Sequence, residues 1–258
     1  MSLNNLKAGL ATAIVVTASH ALAIHAQNEP VENIVLVHGA WVDGSGWKPV
    51  YEILVKHGYH VTLVQEPLTS FQQDVAATKR VLAEQRGPCI LVGHSYGGSV
   101  ITEAGTDPHV VGLVYIAAHM PDAGESEGAD GKRFPSDVSK SGAVLATPDG
   151  FNYLNRADFP MYFAADLPLE QATFEAQSQI PTAIGNFTSK ISTPSWRTKP
   201  SSMLVATADR IINPDLERWY AARAHSYTVE VKGASHSVYE SRPKEVAAFI
   251  EHAAQTNR

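Results

Sequence analysis

Six short apolar runs, at residues 34–37, 61–64, 90–92, 113–116, 204–206 and 228–231, recur along the chain between stretches of helical patterning. The runs are rich in Val, Ile and Leu and do not alternate with polar residues, which suits strands covered on both faces. Strand, helix, strand, helix in that order implies an α/β fold with a mostly parallel sheet flanked by helices, because parallel neighbours need a crossover and a helix supplies it. Several helix starts are written locally. Ser70-Phe71-Gln72-Gln73 resembles a capping box ahead of a helix over 75–85. Asn213-Pro214 sets a cap before a proline at the first helical position, and Ser241 with Pro243 opens a last helix to about residue 252.

The alternation fails once. Residues 119–201 carry no clear strand and much Gly, Pro and Ser, and a structureless loop of that length is improbable inside a compact domain. The expectation is an inserted cap of short helices, one of them over 168–179, lying above the C-terminal edge of the sheet. Its aromatic residues, from Phe134 through Phe159, Phe163 and Phe174 to Phe187 and Trp196, divide between the cap's own core and the lining of an apolar pocket.

With 258 residues, 44% hydrophobic and 18% charged, the chain can bury a full core. A net charge of −6 provides no basic face for phosphates, so no nucleic-acid partner is expected. An apolar run over 8–24 follows Lys7 and contains Ala21-Leu22-Ala23, small residues of the kind signal peptidase requires. The reading is a signal peptide over 1–26, cut after Ala23 or Ala26, and a mature domain over 27–258 that is exported to the periplasm or secreted. No later segment approaches the length of a membrane span, so no stable insertion is expected after cleavage. The single cysteine, Cys89, cannot form an intramolecular disulfide and reads as a core residue. No H-E-x-x-H motif or dense Cys/His cluster suggests a metal, and no cofactor is expected. The final helix carries no dimer signature.

The chemistry is written at Gly93-His94-Ser95-Tyr96-Gly97. A G-x-S-x-G pattern should arise by chance in roughly one chain in ten of this length, so its setting decides. The apolar run 90–92 leads straight into it and Gly97-Gly98-Ser99-Val100 opens a helix behind it, which is the strand, turn and helix the motif needs. A serine at so sharp a turn demands neighbours without side chains on both flanks. The helix behind it presents its positive end to a developing oxyanion.

A serine hydroxyl is a weak nucleophile and needs a base oriented by a carboxylate. Of eleven histidines, His236 sits in Gly233-Ala234-Ser235-His236-Ser237, after the last strand and before the last helix. His119, just past the run 113–116, is the reserve, and His94 is expected to point away from the site. Asp209 follows the run 204–206, and Ser95, Asp209, His236 is the chain order this kind of sheet expects; Asp122 is the alternative acid. Two backbone donors complete the set: the Tyr96 amide, and the Ala40 amide in the loop His38-Gly39-Ala40-Trp41. Trp41 and Trp47 are expected to pack that loop without touching substrate.

Together these segments, with Tyr115-Ile116-Ala117-Ala118, resemble bacterial α/β-hydrolase-fold esterases related to plant methylesterases and hydroxynitrile lyases, over about residues 33–254. The resemblance implies a cofactor-free enzyme acting on a small-molecule ester, with Ser95, Asp209 and His236 as triad and Ala40 and Tyr96 as oxyanion hole. The lyases of that group carry a lysine directly after the catalytic histidine. Ser237 stands there in this chain, which disfavours cyanohydrin cleavage, and serine at the elbow argues against the dehalogenases and epoxide hydrolases that use aspartate. Acyl transfer, perhydrolysis and carbon–carbon hydrolysis would use the same triad, and a ligand-binding protein with little turnover would share the fold.

Overall fold

The computed structural model describes residues 31–257; the signal peptide read over 1–26 lies outside them. Nine strands occur among the described residues: β1 (Asn33–Val37), β2 (His60–Val64), β3 (Cys89–Ser95), β4 (Val110–Ala118), β5 (Val144–Ala146), β6 (Phe151–Leu154), β7 (Thr182–Ala183), β8 (Ser201–Ala206) and β9 (Tyr227–Val231). Six of them form the main sheet in the order β2-β1-β3-β4-β8-β9, parallel throughout. Each of the six apolar runs in the sequence lies within one of these strands.

Period-two geometry splits each strand between two cores. Ile34, Leu36, Ile90, Val92, Val114 and Ile116 pack on one face with helices α1 (Lys48–Lys56) and, at the chain's far end, Pro243–Thr256. Val35, Val37, Leu91, Leu113 and Tyr115 pack on the other with α2 (Phe71–Ala83), α3 (Gly97–Ala104) and the helix Pro214–Ala224. The last helix buries Val246, Ala247, Ile250, Ala253 and Ala254, the spacing of one helical face.

Two capping expectations need correction. Ser70 Oγ accepts from the Gln73 amide at 3.3 Å, but the reciprocal half of the box is absent, because Gln73 Oε1 instead accepts from Thr69 Oγ1 at 2.8 Å. The last helix is preceded by Arg242, which makes no side-chain cap, and Ser241 ends a short helix before it.

The insertion follows β4 and rejoins the sheet at β8. It holds the short helices α4 (Glu127–Arg133), α5 (Asp137–Ser141), α6 (Phe159–Tyr162) and α7 (Leu169–Ser178), followed after β8 by α8 (Pro214–Ala224), α9 (Val238–Ser241) and α10 (Pro243–Thr256). It also holds an antiparallel sheet, β5-β6-β7, where the sequence reading found no strand. Thr147-Pro148-Asp149-Gly150 links β5 to β6, and Gly150 takes φ +90°; proline then Asp-Gly is a turn signature. The strands are only three, four and two residues long, too short for periodicity to reveal them. Among the described residues no helix is long and apolar enough to cross a membrane.

Candidate active site

The turn from β3 to α3 carries Ser95 at φ +55°, a left-handed conformation that costs a residue with a Cβ on the order of 1–3 kcal/mol. Its neighbours show why glycine flanks it. A Cβ on Gly93 would lie 2.6 Å from the Gly97 carbonyl oxygen, and one on Gly97 would lie 2.4 Å from that of His38. The packing that presses α3 against the end of β1 therefore holds the serine in its strained turn and leaves no room for a larger flank.

Three residues from separate loops meet at this edge of the sheet. Ser95 Oγ donates to His236 Nε2 at 2.9 Å, and His236 Nδ1–H donates to Asp209 Oδ2 at 2.6 Å. Both His236 and Asp209 have fully buried side chains. The second Asp209 oxygen accepts from the amides of Ile211 at 2.7 Å and Ile212 at 3.0 Å, so the carboxylate cannot rotate away. Phe163 meets the His236 ring edge-on, with centroids 4.7 Å apart. The Ser237 hydroxyl, at the position of the lyase lysine, is buried without a hydrogen-bond partner.

Ala40 and Tyr96 lie beside Ser95 on the wall of one cavity of about 450 Å³. Among the described residues neither N–H is taken by a hydrogen bond. The loop that carries Ala40 is held from behind. The Glu66 amide donates to His38 Nε2 at 2.9 Å, and His38 Nδ1–H donates to the Gly39 carbonyl at 2.9 Å. Burial lowers the His38 pKa, in keeping with a neutral ring that accepts on Nε2. Tyr96 is fixed by its hydroxyl, which donates to Asp74 Oδ2 at 2.7 Å.

The other candidates fall elsewhere or take other roles. Asp122 is a half-buried partner of Arg197 at 2.7 Å, while Asp209 takes the one hydrogen bond made by His236 Nδ1 among the described residues. His94 does not simply point away: its Nε2–H donates to the His236 carbonyl at 3.0 Å, and its ring packs 4.6 Å from that of His236. Burial holds its pKa well below the usual range, so it is a neutral prop for the His236 loop. His119 lines the cavity without joining the hydrogen-bond chain of Ser95, His236 and Asp209.

Trp41 departs from expectation, whereas Trp47 is fully buried. Trp41 lines the cavity wall at φ +67°. Three long-range bonds hold it in that strained state. Its amide donates to Thr182 Oγ1 at 3.1 Å, its indole Nε1–H to Asn152 Oδ1 at 2.9 Å, and its carbonyl accepts from Ile180 N at 3.0 Å. The loop that carries Ala40 is thereby stitched to the cap, and the tryptophan becomes part of the pocket.

Sequence reasoning missed the buried acids. Glu66, Glu127 and Glu217 are all buried, and nothing local marks them, since each sits in an ordinary polar context. Burial raises the pKa of all three, and pushes Glu127 up to about 8 from 4.5. Folded Glu127 thus keeps a proton that the unfolded chain releases above 4.5. The native state binds the extra proton between those pH values, so its stabilising share, full below 4.5, is lost as pH rises to about 8. Glu127→Gln, which keeps the oxygen facing Ser99, removes this dependence. The melting temperature of Glu127→Gln minus that of the parent is expected to climb from pH 5 to 8 by at most roughly 3–5 °C per pH unit, then level off. Parallel melting curves across that range would show that Glu127 does not hold its proton.

The sequence pattern of the alpha/beta hydrolase family matches residues 34–249, and the chain belongs to that family. A carbendazim hydrolyzing esterase of Nocardioides sp. (strain SG-4G) is 34% identical over 110 residues, which is 36% of this chain and 45% of that enzyme. Esterase PIR7B of Oryza sativa subsp. japonica is 24% identical over 245 residues, covering 83% of this chain and 91% of that protein. The crystal structure of a pyrethroid hydrolase from Sphingobium faniae JZ-2 superposes with a TM-score of 0.73 at 19% identity, over 88% of this chain and 98% of that one, a likeness of fold.

Proposed function

We propose that this protein is a serine-dependent carboxylic ester hydrolase that acts on small apolar or aryl esters through an acyl-enzyme. One observation carries the reading: the unbroken hydrogen-bond chain from Ser95 through His236 to Asp209 opens onto a cavity lined by Trp41, Val138, Val144, Phe187 and Ile211. Relatives named as esterases support it.

In this reading His236 Nε2 takes the Ser95 proton as Oγ attacks the ester carbonyl, and Asp209 stabilises the imidazolium that forms. The Ala40 and Tyr96 amides receive the oxyanion, each donor contributing about 10²–10³ in turnover. The tetrahedral intermediate collapses as His236 protonates the leaving alcohol. Water, deprotonated by the same histidine, then releases the acid and restores Ser95.

The test combines a fluorophosphonate probe, read by intact mass, with p-nitrophenyl esters of rising acyl length. One adduct on Ser95 that disappears in His236→Ala is expected, together with turnover that falls once the acyl group outgrows a cavity of about 450 Å³. Neither adduct nor turnover would leave a ligand-binding protein of the same fold.

A further inference from the structure

The wall beside Ser95 is mostly apolar; Lys132, Ser136 and Ser139 add polar groups to it, and Glu127 and His119 add two ionisable ones that are shielded from solvent. Glu127, on α4, lines the cavity and is 5% exposed. Ser99 Oγ donates to its Oε2 at 2.8 Å, and no hydrogen bond engages Oε1 among the described residues. His119 lines the same cavity; its Nδ1 is buried, and among the described residues no hydrogen bond engages its Nε2. The triad uses neither residue. Lys132, another ionisable group of the lining, is exposed to solvent.

Both groups are neutral near pH 7. Burial pushes Glu127 up to about 8 and, with the nearby His236, holds His119 down at about 3. A ligand carbonyl that accepts a hydrogen bond from such a group inside the cavity gains about 0.5–1.5 kcal/mol net. An ionised carboxylate on the ligand would lose its water against these two neutral groups and gain no charge partner from either. A neutral acceptor meets no such penalty, and the unengaged Glu127 oxygen is the one left to carry the acid proton toward it.

We propose that Glu127 and His119 form a polar subsite that binds a neutral hydrogen-bond acceptor, a second carbonyl group, in the ester substrate. The proposal rests on the ester-hydrolase reading above and narrows its substrate class to oxo-esters and similar bifunctional molecules. Glu127 meets Ser99, which lies in the first turn of the helix directly behind the nucleophile. The second carbonyl therefore belongs about three or four bonds from the scissile one.

Two isosteric ester pairs test this at pH 7. In p-nitrophenyl 4-oxopentanoate against p-nitrophenyl 4-methylpentanoate the second carbonyl lies on the acyl side. In 3-oxobutyl butanoate against 3-methylbutyl butanoate it lies on the alcohol side. The quantity read is the ratio of kcat/KM within each pair, so a general loss of activity cancels. In one pair the parent ratio is expected to exceed that of Glu127→Leu by about tenfold. Glu127→Gln, which keeps a donor, should retain most of the preference. His119→Leu should lower it severalfold, and reads the subsite if Glu127→Leu does not fold. Equal ratios in parent and variants for both pairs overturn the subsite. Failure of the hydrolase reading looks different, with no Ser95 adduct and no turnover of any of the four esters. In that event the dissociation constants of the same pairs for Ser95→Ala protein decide: a preference for the oxo-ester sustains the subsite, and none removes it.

Discussion

Ser95→Ala is expected to lower kcat on p-nitrophenyl butanoate by about 10⁵–10⁶, with the melting temperature nearly unchanged. The size follows from the loss of the only hydroxyl in the cavity that donates to a histidine. Ser136 and Ser139 also line it, but Ser139 Oγ donates to the Ser136 carbonyl at 2.7 Å and Ser136 Oγ accepts from the Ser139 amide at 3.3 Å, so neither has a base. Removing a triad nucleophile leaves only what the oxyanion hole and substrate binding supply, about 10³–10⁴ over water. Stability hardly changes because alanine keeps the Cβ that strains the turn at φ +55°; what is lost is one hydrogen bond, net about 0.5–1.5 kcal/mol. Steady-state kinetics with a thermal melt of the same sample reads both quantities. Retention of a large fraction of the ester rate would place the chemistry on another group.

Asp209→Asn should cost about 10⁴ in kcat while the fold survives. Asp209 Oδ1 accepts two backbone amides, from Ile211 and Ile212, so an asparagine must keep its carbonyl oxygen on that side. Its NH₂ then faces His236 Nδ1, and two donors cannot share a hydrogen. His236 is driven to the tautomer that protonates Nε2, which turns the base that faces Ser95 Oγ at 2.9 Å into a donor. Reactivity toward the fluorophosphonate should fall in parallel with kcat, because both depend on deprotonating the same hydroxyl. A loss of less than about tenfold would move the orienting role to another acid, and the neutral, buried Glu217, which feels the Asp209 charge, would be the one to substitute next.

The parts of the site that could be read in advance share a property: their signals are local. Ser95 is announced by flanking glycines, where an added Cβ would lie 2.4–2.6 Å from a backbone oxygen, and Asp209 and His236 by their place just past β8 and β9. The cap was legible only as an interruption. Its strands of two to four residues are too short to show a period, although the turn at residues 147–150 could have disclosed the β5–β6 hairpin. Trp41 was misjudged because its direction is set by Asn152, Ile180 and Thr182, more than a hundred residues away.

The sequence by itself determined the order of strands and helices around the main sheet, the strained turn at Ser95 and the identities of the residues that meet there. Apolar periodicity, glycine sterics and chain order are properties of neighbouring residues, so they persist without a fold. Only the tertiary structure decided the protonation of Glu66, Glu127 and Glu217, the role of His94 under His236, and the placing of Trp41, His119 and Glu127 on the cavity wall. Each of those depends on desolvation and on partners contributed by distant segments, such as Ser99 for Glu127. A carboxyl's environment does not exist until those segments pack around it.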